Sequence, residues 1–224
     1  MADLDFDALL NKTSFCTDVM ALLSDVDSFL ELSEENIERQ KAHELQLAAN
    51  TEILEDDERL QHQFQAHLID CANYHFDVSL TQRVRYAGLT ALITTVDWCA
   101  LGFQKRLTFD LPKKRKAINP TVHLLTVVND RARLPYAAEI EDLAGLVQVR
   151  NCVVHAAGLV ESYEYKESLE QAMAKLEGVA LSSENFLGKS IAIDRNALSS
   201  RIEAMKRWLT DIDEQCTKQG LLAK

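Results

Sequence analysis

Residues 137–158 read AAEIEDLAGLVQVRNCVVHAAG. The spacing predicts a helix from 137 to about 156, with Ile140, Leu143, Ala144, Val147, Cys152 and Val154 facing inward at successive turns. Gly158 is well placed to end it. Near that end an Arg, an Asn and a His interrupt the apolar run. Asn151 and His155 are four apart and share a face. Arg150 lies about 100° from Asn151 and about 140° from His155 around the helix axis. Three polar groups among Val147, Val149, Cys152, Val153 and Val154 are costly unless they are paired or used. The plain explanation is that Arg150 and His155 complement the helix dipole while Asn151 bonds a neighbouring loop.

The rest of the chain also reads as helix. Tyr86 to Phe103 is long and apolar and holds one charge, Asp97. It is the sole candidate for a membrane span, and Thr90, Thr94, Thr95 and Asp97 favour a helix buried in a bundle instead. Ser79 and Gln82 read as a capping box opening a helix from about 80 to 106. Asn119-Pro120 opens another, to about Arg133. Residues 14–31 carry an amphipathic pattern, and Ser33 can cap a longer, mostly polar helix to about 73, with a break near Glu55–Asp57. A short helix near 166–177, a small hairpin over 179–193 around Gly188, and a helix capped by Asp194 and ending near 217 complete the chain. We expect an all-α bundle with at most one small β-hairpin. Residues 1–74 form an acidic N-terminal helical extension and residues 75–224 the bundle.

Composition supports this. Of 224 residues, 26% are charged and 47% hydrophobic, which excludes a disordered chain or a small disulfide scaffold. Only 7 Gly and 3 Pro occur, too few for a sandwich of many short strands. The five cysteines are scattered and odd in number, with no CxxC pair, as for reduced thiols in a cytoplasmic protein. The N-terminus MADLDFDALL lacks the basic region of a signal peptide. The net charge of −11 argues against a generic nucleic-acid binder, yet it is unevenly spread. Residues 1–60 hold 16 acidic and 4 basic side chains, and the remainder is nearly neutral. Within that remainder Lys105, Arg106, Lys113, Lys114, Arg115 and Lys116 cluster, followed by Arg131 and Arg133. Such a run is either a solvated loop or an attachment point for phosphates.

No phosphate-loop, dinucleotide-binding, zinc-protease or serine-hydrolase signature is present. R-N-x-x-x-H at the end of the last core helix does, however, resemble the Rx4–6H motif of the HEPN superfamily. The order of elements over residues 75–217 is similar to theirs: an apolar helix, a basic loop, a second helix, the motif helix ending in His-x-x-Gly, and a closing helix. The resemblance implies a helical bundle and a metal-independent endoribonuclease working as a homodimer, of toxin or defence type, with no cofactor. In it His155 serves as general acid or base, Arg150 holds the scissile phosphate, and Asn151 orients the pair or hydrogen-bonds the phosphate. Asp97, the one acid in the apolar helix, is the candidate orienter of the motif. Lys113 to Lys116 bind the RNA backbone. The chemistry is coherent, since attack by a 2′-hydroxyl needs a proton acceptor near neutral pH and a cation against the charge growing on the phosphate. Other members of that family keep the fold and only bind nucleotides, RNA or partner proteins. Catalytically silent dimerisation and the binding of a nucleotide, a protein partner or an inhibitor are therefore the alternative.

Two further features read as structural. Glu58, His62, His67 and Asp70 sit on the polar helix as a solvated face rather than a metal site. Trp98 and Trp208 lie on apolar faces and read as core.

Overall fold

The computed structural model describes residues 13–51, 58–116, 118–183 and 188–223, and of residues 13 and 14 only the backbone. The chain is all-α apart from one small antiparallel hairpin. Its helices are α1 (Thr13–Asn50), α2 (Glu58–Asn73), α3 (Thr81–Arg106), α4 (Pro120–Ala132), α5 (Ala137–Ala156), α6 (Lys166–Met173) and α7 (Arg195–Lys218). A π-helical segment, Tyr74–Leu80, joins α2 to α3. The hairpin pairs β1 (Val179–Ser182) with β2 (Ser190–Ile193), Val179 opposite Ile193.

Helix α3 is the centre. It buries Leu89, Leu92, Ile93, Val96, Cys99 and Phe103 completely, all on one side. Helix α1 packs on α3 and α7, while α5 touches α3, α4 and α6. The apolar stretch expected to be a buried helix is one. The longer run Glu58–Arg106 contains one window apolar enough to cross a membrane, and 44% of that window is buried within the bundle.

Several local expectations need correction. Helix α1 does not stop at Ser33. Its buried positions Val19, Leu23, Val26, Leu30 and Ile37 keep spacings of four, three, four and seven, so one helix satisfies them all. Glu34, next to Ser33, is held by Arg85 at 2.7 Å and by Arg195 at 3.3 Å. Residues 19–30 thus belong to the same core cluster as α3, although the sequence reads them as part of an extension outside the bundle. The expected break at Glu55–Asp57 and the terminus MADLDFDALL lie outside the described residues. The Ser79–Gln82 capping box does not form. The chain enters α3 through the π-helical segment, so there is no open helix start to cap. Gln82 instead binds the backbone of Ile193 in both directions, at 2.9 and 3.3 Å. Trp208 is core, but Trp98 is 46% exposed. None of the five cysteines forms a disulfide.

Other signals hold. Asn119 caps α4 by accepting from the backbone N–H of Thr121 and Val122, with Pro120 in the first turn. Helix α5 ends where expected, through Ala157 and Gly158 in the left-handed region. A Cβ on Gly158 would lie within 2.7 Å of the Tyr86 ring, so glycine lets Tyr86 pass and donate to the Ile191 carbonyl.

The integration of α1 predicts a graded response to truncation of its side chains. Leu23→Ala should destabilise the protein by about 2–5 kcal/mol in urea unfolding, as for other buried leucines. Leu47→Ala, on the exposed half of the same helix, should cost less than about 0.5 kcal/mol.

Candidate functional site

At its C-terminal end α5 has one face in the core and one in solvent. Val149 and Cys152 are fully buried. Arg150 and Asn151 are half-buried, and Val154 and His155 are exposed. Val154 was expected inward and is 51% exposed, on the side of the last turn away from the buried Val149 and Cys152. None of the three motif residues is in the core, but Arg150 stands about 140° from His155 around the axis, so they do not converge within one chain. Each of the first two lies near a different neighbour, and His155 stands on the last turn.

Arg150 meets Asp97. One guanidinium nitrogen lies 3.7 Å from Asp97 Oδ2, with the two side chains 23% and 37% exposed. Asp97 Oδ1 accepts a 2.5 Å hydrogen bond from the Thr121 hydroxyl. The Asn119 cap fixes the first turn of α4 and with it Thr121. Three helices thereby position one guanidinium. Asn151 lies near enough to the Tyr163 hydroxyl, in the loop after α5, to influence its ionisation. Burial lifts the Tyr163 hydroxyl above the usual tyrosine pKa, and the Asn151 side chain pulls the other way. Neither Thr121 nor Tyr163 was flagged by the sequence. Thr121 could have been, as the residue just inside a strong helix start.

Lys113, Lys114, Arg115 and Lys116 are all exposed in the α3–α4 loop. Lys114 donates to the Ile118 carbonyl at 3.2 Å. The loop runs directly into Asn119 and so reaches the Asp97–Thr121 end of the site. Two other cations of the cluster are committed elsewhere. Arg106 pairs with Asp213 and donates to the Ala223 carbonyl at 2.9 Å. Arg131 lies over the Phe109 ring, 4.0 Å from its centroid.

Next to the motif, α3 shows solvent a strip of small and apolar residues. Ala87, Thr90, Ala91 and Thr94 line an open groove with Tyr86 and Val153. Further along the helix, Trp98 is half exposed beside Phe15, and Leu101 is 55% exposed. His62 and His67 are exposed on α2, and among the described residues no three metal-ligating side chains come together.

Coupling between Asp97 and Arg150 should be small, since the pair is long and partly solvated. A double-mutant cycle of Asp97→Ala and Arg150→Ala in urea unfolding should give a coupling energy below about 1 kcal/mol. A larger value would make the pair a structural lock rather than a positioning device.

No protein-family model, curated protein or solved structure matches this chain.

Proposed function

We propose that the chain is an HEPN-like, RNA-acting protein, a metal-independent endoribonuclease that works as a homodimer. The observation that carries the reading is the arrangement at the end of α5. Arg150 is steered by Asp97 and Thr121, and His155 is exposed one turn on, next to a strip of α3 with little charge. Arg150 and His155 lie about 140° apart on one helix, so one copy does not close around a phosphodiester. Two copies facing across the α3–α5 strip would bring two Arg and two His to one cleft. Trp98, Leu101 and Val154 are the exposed apolar residues such a contact would cover.

In that cleft one His155 accepts the proton of the 2′-hydroxyl as its oxygen bonds to phosphorus. The His155 of the other copy protonates the departing 5′-oxygen. The products are a 2′,3′-cyclic phosphate and a 5′-hydroxyl. Arg150 offsets charge on the non-bridging oxygens, a role suited to its forked donors. Asn151 keeps the helix end and the Tyr163 loop in register. Lys113 to Lys116 supply non-specific backbone attraction, locally opposing the net charge of −11. A toxin or defence role, a cytoplasmic location and a protein inhibitor go with the family resemblance.

The second reading is a catalytically silent dimerisation and binding module. What favours it is that Arg150 already has a partner within the chain.

Labelled RNA of mixed structure, incubated in EDTA, separates the two. Wild type should leave cyclic-phosphate ends, and His155→Ala should cut about 10²–10⁴-fold more slowly with an unchanged helical spectrum. Arg150→Ala should lose cleavage as well, and Asp97→Ala part of it. Val154→Arg should open the α3–α5 contact and abolish cleavage with it. No cleavage by wild type, or equal cleavage by all variants, would favour the binding module.

A further inference from the structure

The bundle sheds its second half of α1 and all of α2 as a projecting helical hairpin. Beyond Leu30, α1 buries only Ile37 and Ala48 among its apolar residues, and α2 buries nothing. The hairpin is held largely by polar contacts. Gln65 donates to the Ala49 and Thr51 carbonyls at 3.1 and 3.0 Å, and Gln61 to the Thr51 carbonyl at 2.5 Å. These close the C-terminus of α1 and fix which side of α2 faces it.

An adjoining side carries a pattern. Leu60, Phe64, His67 and Cys71 on α2, with Tyr74 at the start of the π-helical segment, are spaced four, three, four and three, and all are exposed. They lie within about 40° of one line along the helix. This is the repeat by which one helix packs against another, and among the described elements α2 packs mainly on α1 and the π-helical segment. Exposure of Leu60 and Phe64 at 42% and 40% is otherwise unexplained.

Charge identifies the occupant. One flank of the stripe faces α1. The other carries Arg59 toward one end of α2 and Asp70 toward the other, with Gln63 between. In an antiparallel pair of identical helices, like flanks meet and opposite ends lie level. Arg59 of one copy then stands beside Asp70 of the second, twice over by symmetry. The guanidinium has donors enough to serve its own chain as well. A parallel mate would bring unlike flanks together, so Arg59 and Asp70 of one copy would face the α1 side of the other and make no such pair. It would also bring the two bundles to the same end, because α2 runs on into α3. We propose that the Leu60–Phe64–His67–Cys71–Tyr74 face of α2 pairs antiparallel with the same face of a second copy, making an interface separate from the motif helix. The helix is already formed and anchored through α3, so pairing does not have to nucleate it.

The interface is tested by light scattering and sedimentation velocity on the full chain, in a Val154→Arg background that blocks the α3–α5 strip. That protein should remain a dimer, and adding Phe64→Glu should halve its mass. Arg59→Asp alone or Asp70→Arg alone should weaken association, and the two together should restore it. Because these side chains are exposed, the helical spectrum should stay unchanged. Val154→Arg protein that is monomeric at every concentration would overturn the proposal. So would a mass that Phe64→Glu leaves unaltered, or a charge exchange that fails to restore pairing. Wild type and Val154→Arg that are equally dimeric, both split by Phe64→Glu, would uphold this seam and overturn the dimer proposed at the motif.

Discussion

The complete burial of one side of α3 governs the molecule. Leu89, Leu92, Ile93, Val96, Cys99 and Phe103 have no solvent exposure, and each large apolar side chain taken from water is worth about 1.5–3 kcal/mol. Every main packing partner is arranged around that side. The first half of α1 covers it from one direction, α7 from another, and α5 lies alongside. Polar contacts then pin both ends of α3. Gln82, Arg85 and Tyr86 bind the backbone of β2 at the start, and Arg106 holds Asp213 and the C-terminal carbonyls at the finish. The small hairpin therefore acts as a clasp on α3 rather than as a sheet with its own core.

The remaining side of α3 is what makes a site. A helix buried all round has no surface to offer, whereas this one presents Thr90, Thr94, Asp97, Trp98 and Leu101 to its outer face. Asp97 sits where that outer face meets the starts and ends of two other helices. It can be charged there because it is only partly desolvated, because Thr121 donates to one of its oxygens, and because the Arg150 guanidinium stands 3.7 Å from the other. Arg150 in turn is steered without being sealed in, so its guanidinium keeps access to solvent and to a ligand. A fully buried pair would have cost more desolvation and left no cation to offer.

Most of the fold was legible, and the reasons differ from element to element. Asn119-Pro120 was readable because a cap and a proline act locally, within three residues. The hairpin and α7 were readable from Gly188 and the apolar period of Leu198, Ile202, Met205 and Leu209. Ser33 misled because a capping residue is a signal only where the helix has reason to end, and the Leu30–Ile37 spacing removes that reason. Ser79–Gln82 misled for the opposite cause. A π-helical connection leaves no loop before α3, so the would-be cap has no open N–H groups to serve. Trp98 was misjudged because composition marks α3 as apolar all round, and only packing reveals which side is covered. At the site, Arg150, Asn151, His155 and Asp97 were readable as odd polar residues in apolar helices. Thr121 and Tyr163 were not, because each reaches the site only through tertiary contact.

The two uncovered strips differ in kind, and the difference follows from their chemistry. The α3–α5 strip is small, smooth and beside an Arg and a His, so whatever covers it also encloses reactive groups. The α2 stripe has aromatic and aliphatic side chains at helix-pairing intervals, and among the described residues no Asp, Glu, Lys or Arg falls on its line. A chain of net charge −11 repels its own copies over most of its N-terminal third. Self-association is easiest where that charge thins out and where opposite signs can be brought level. Arg59 and Asp70 meet that condition only when the helices run in opposite directions. In the pairing proposed for α2, the acidity of the N-terminal region does not forbid assembly but restricts where and in which orientation two copies can meet.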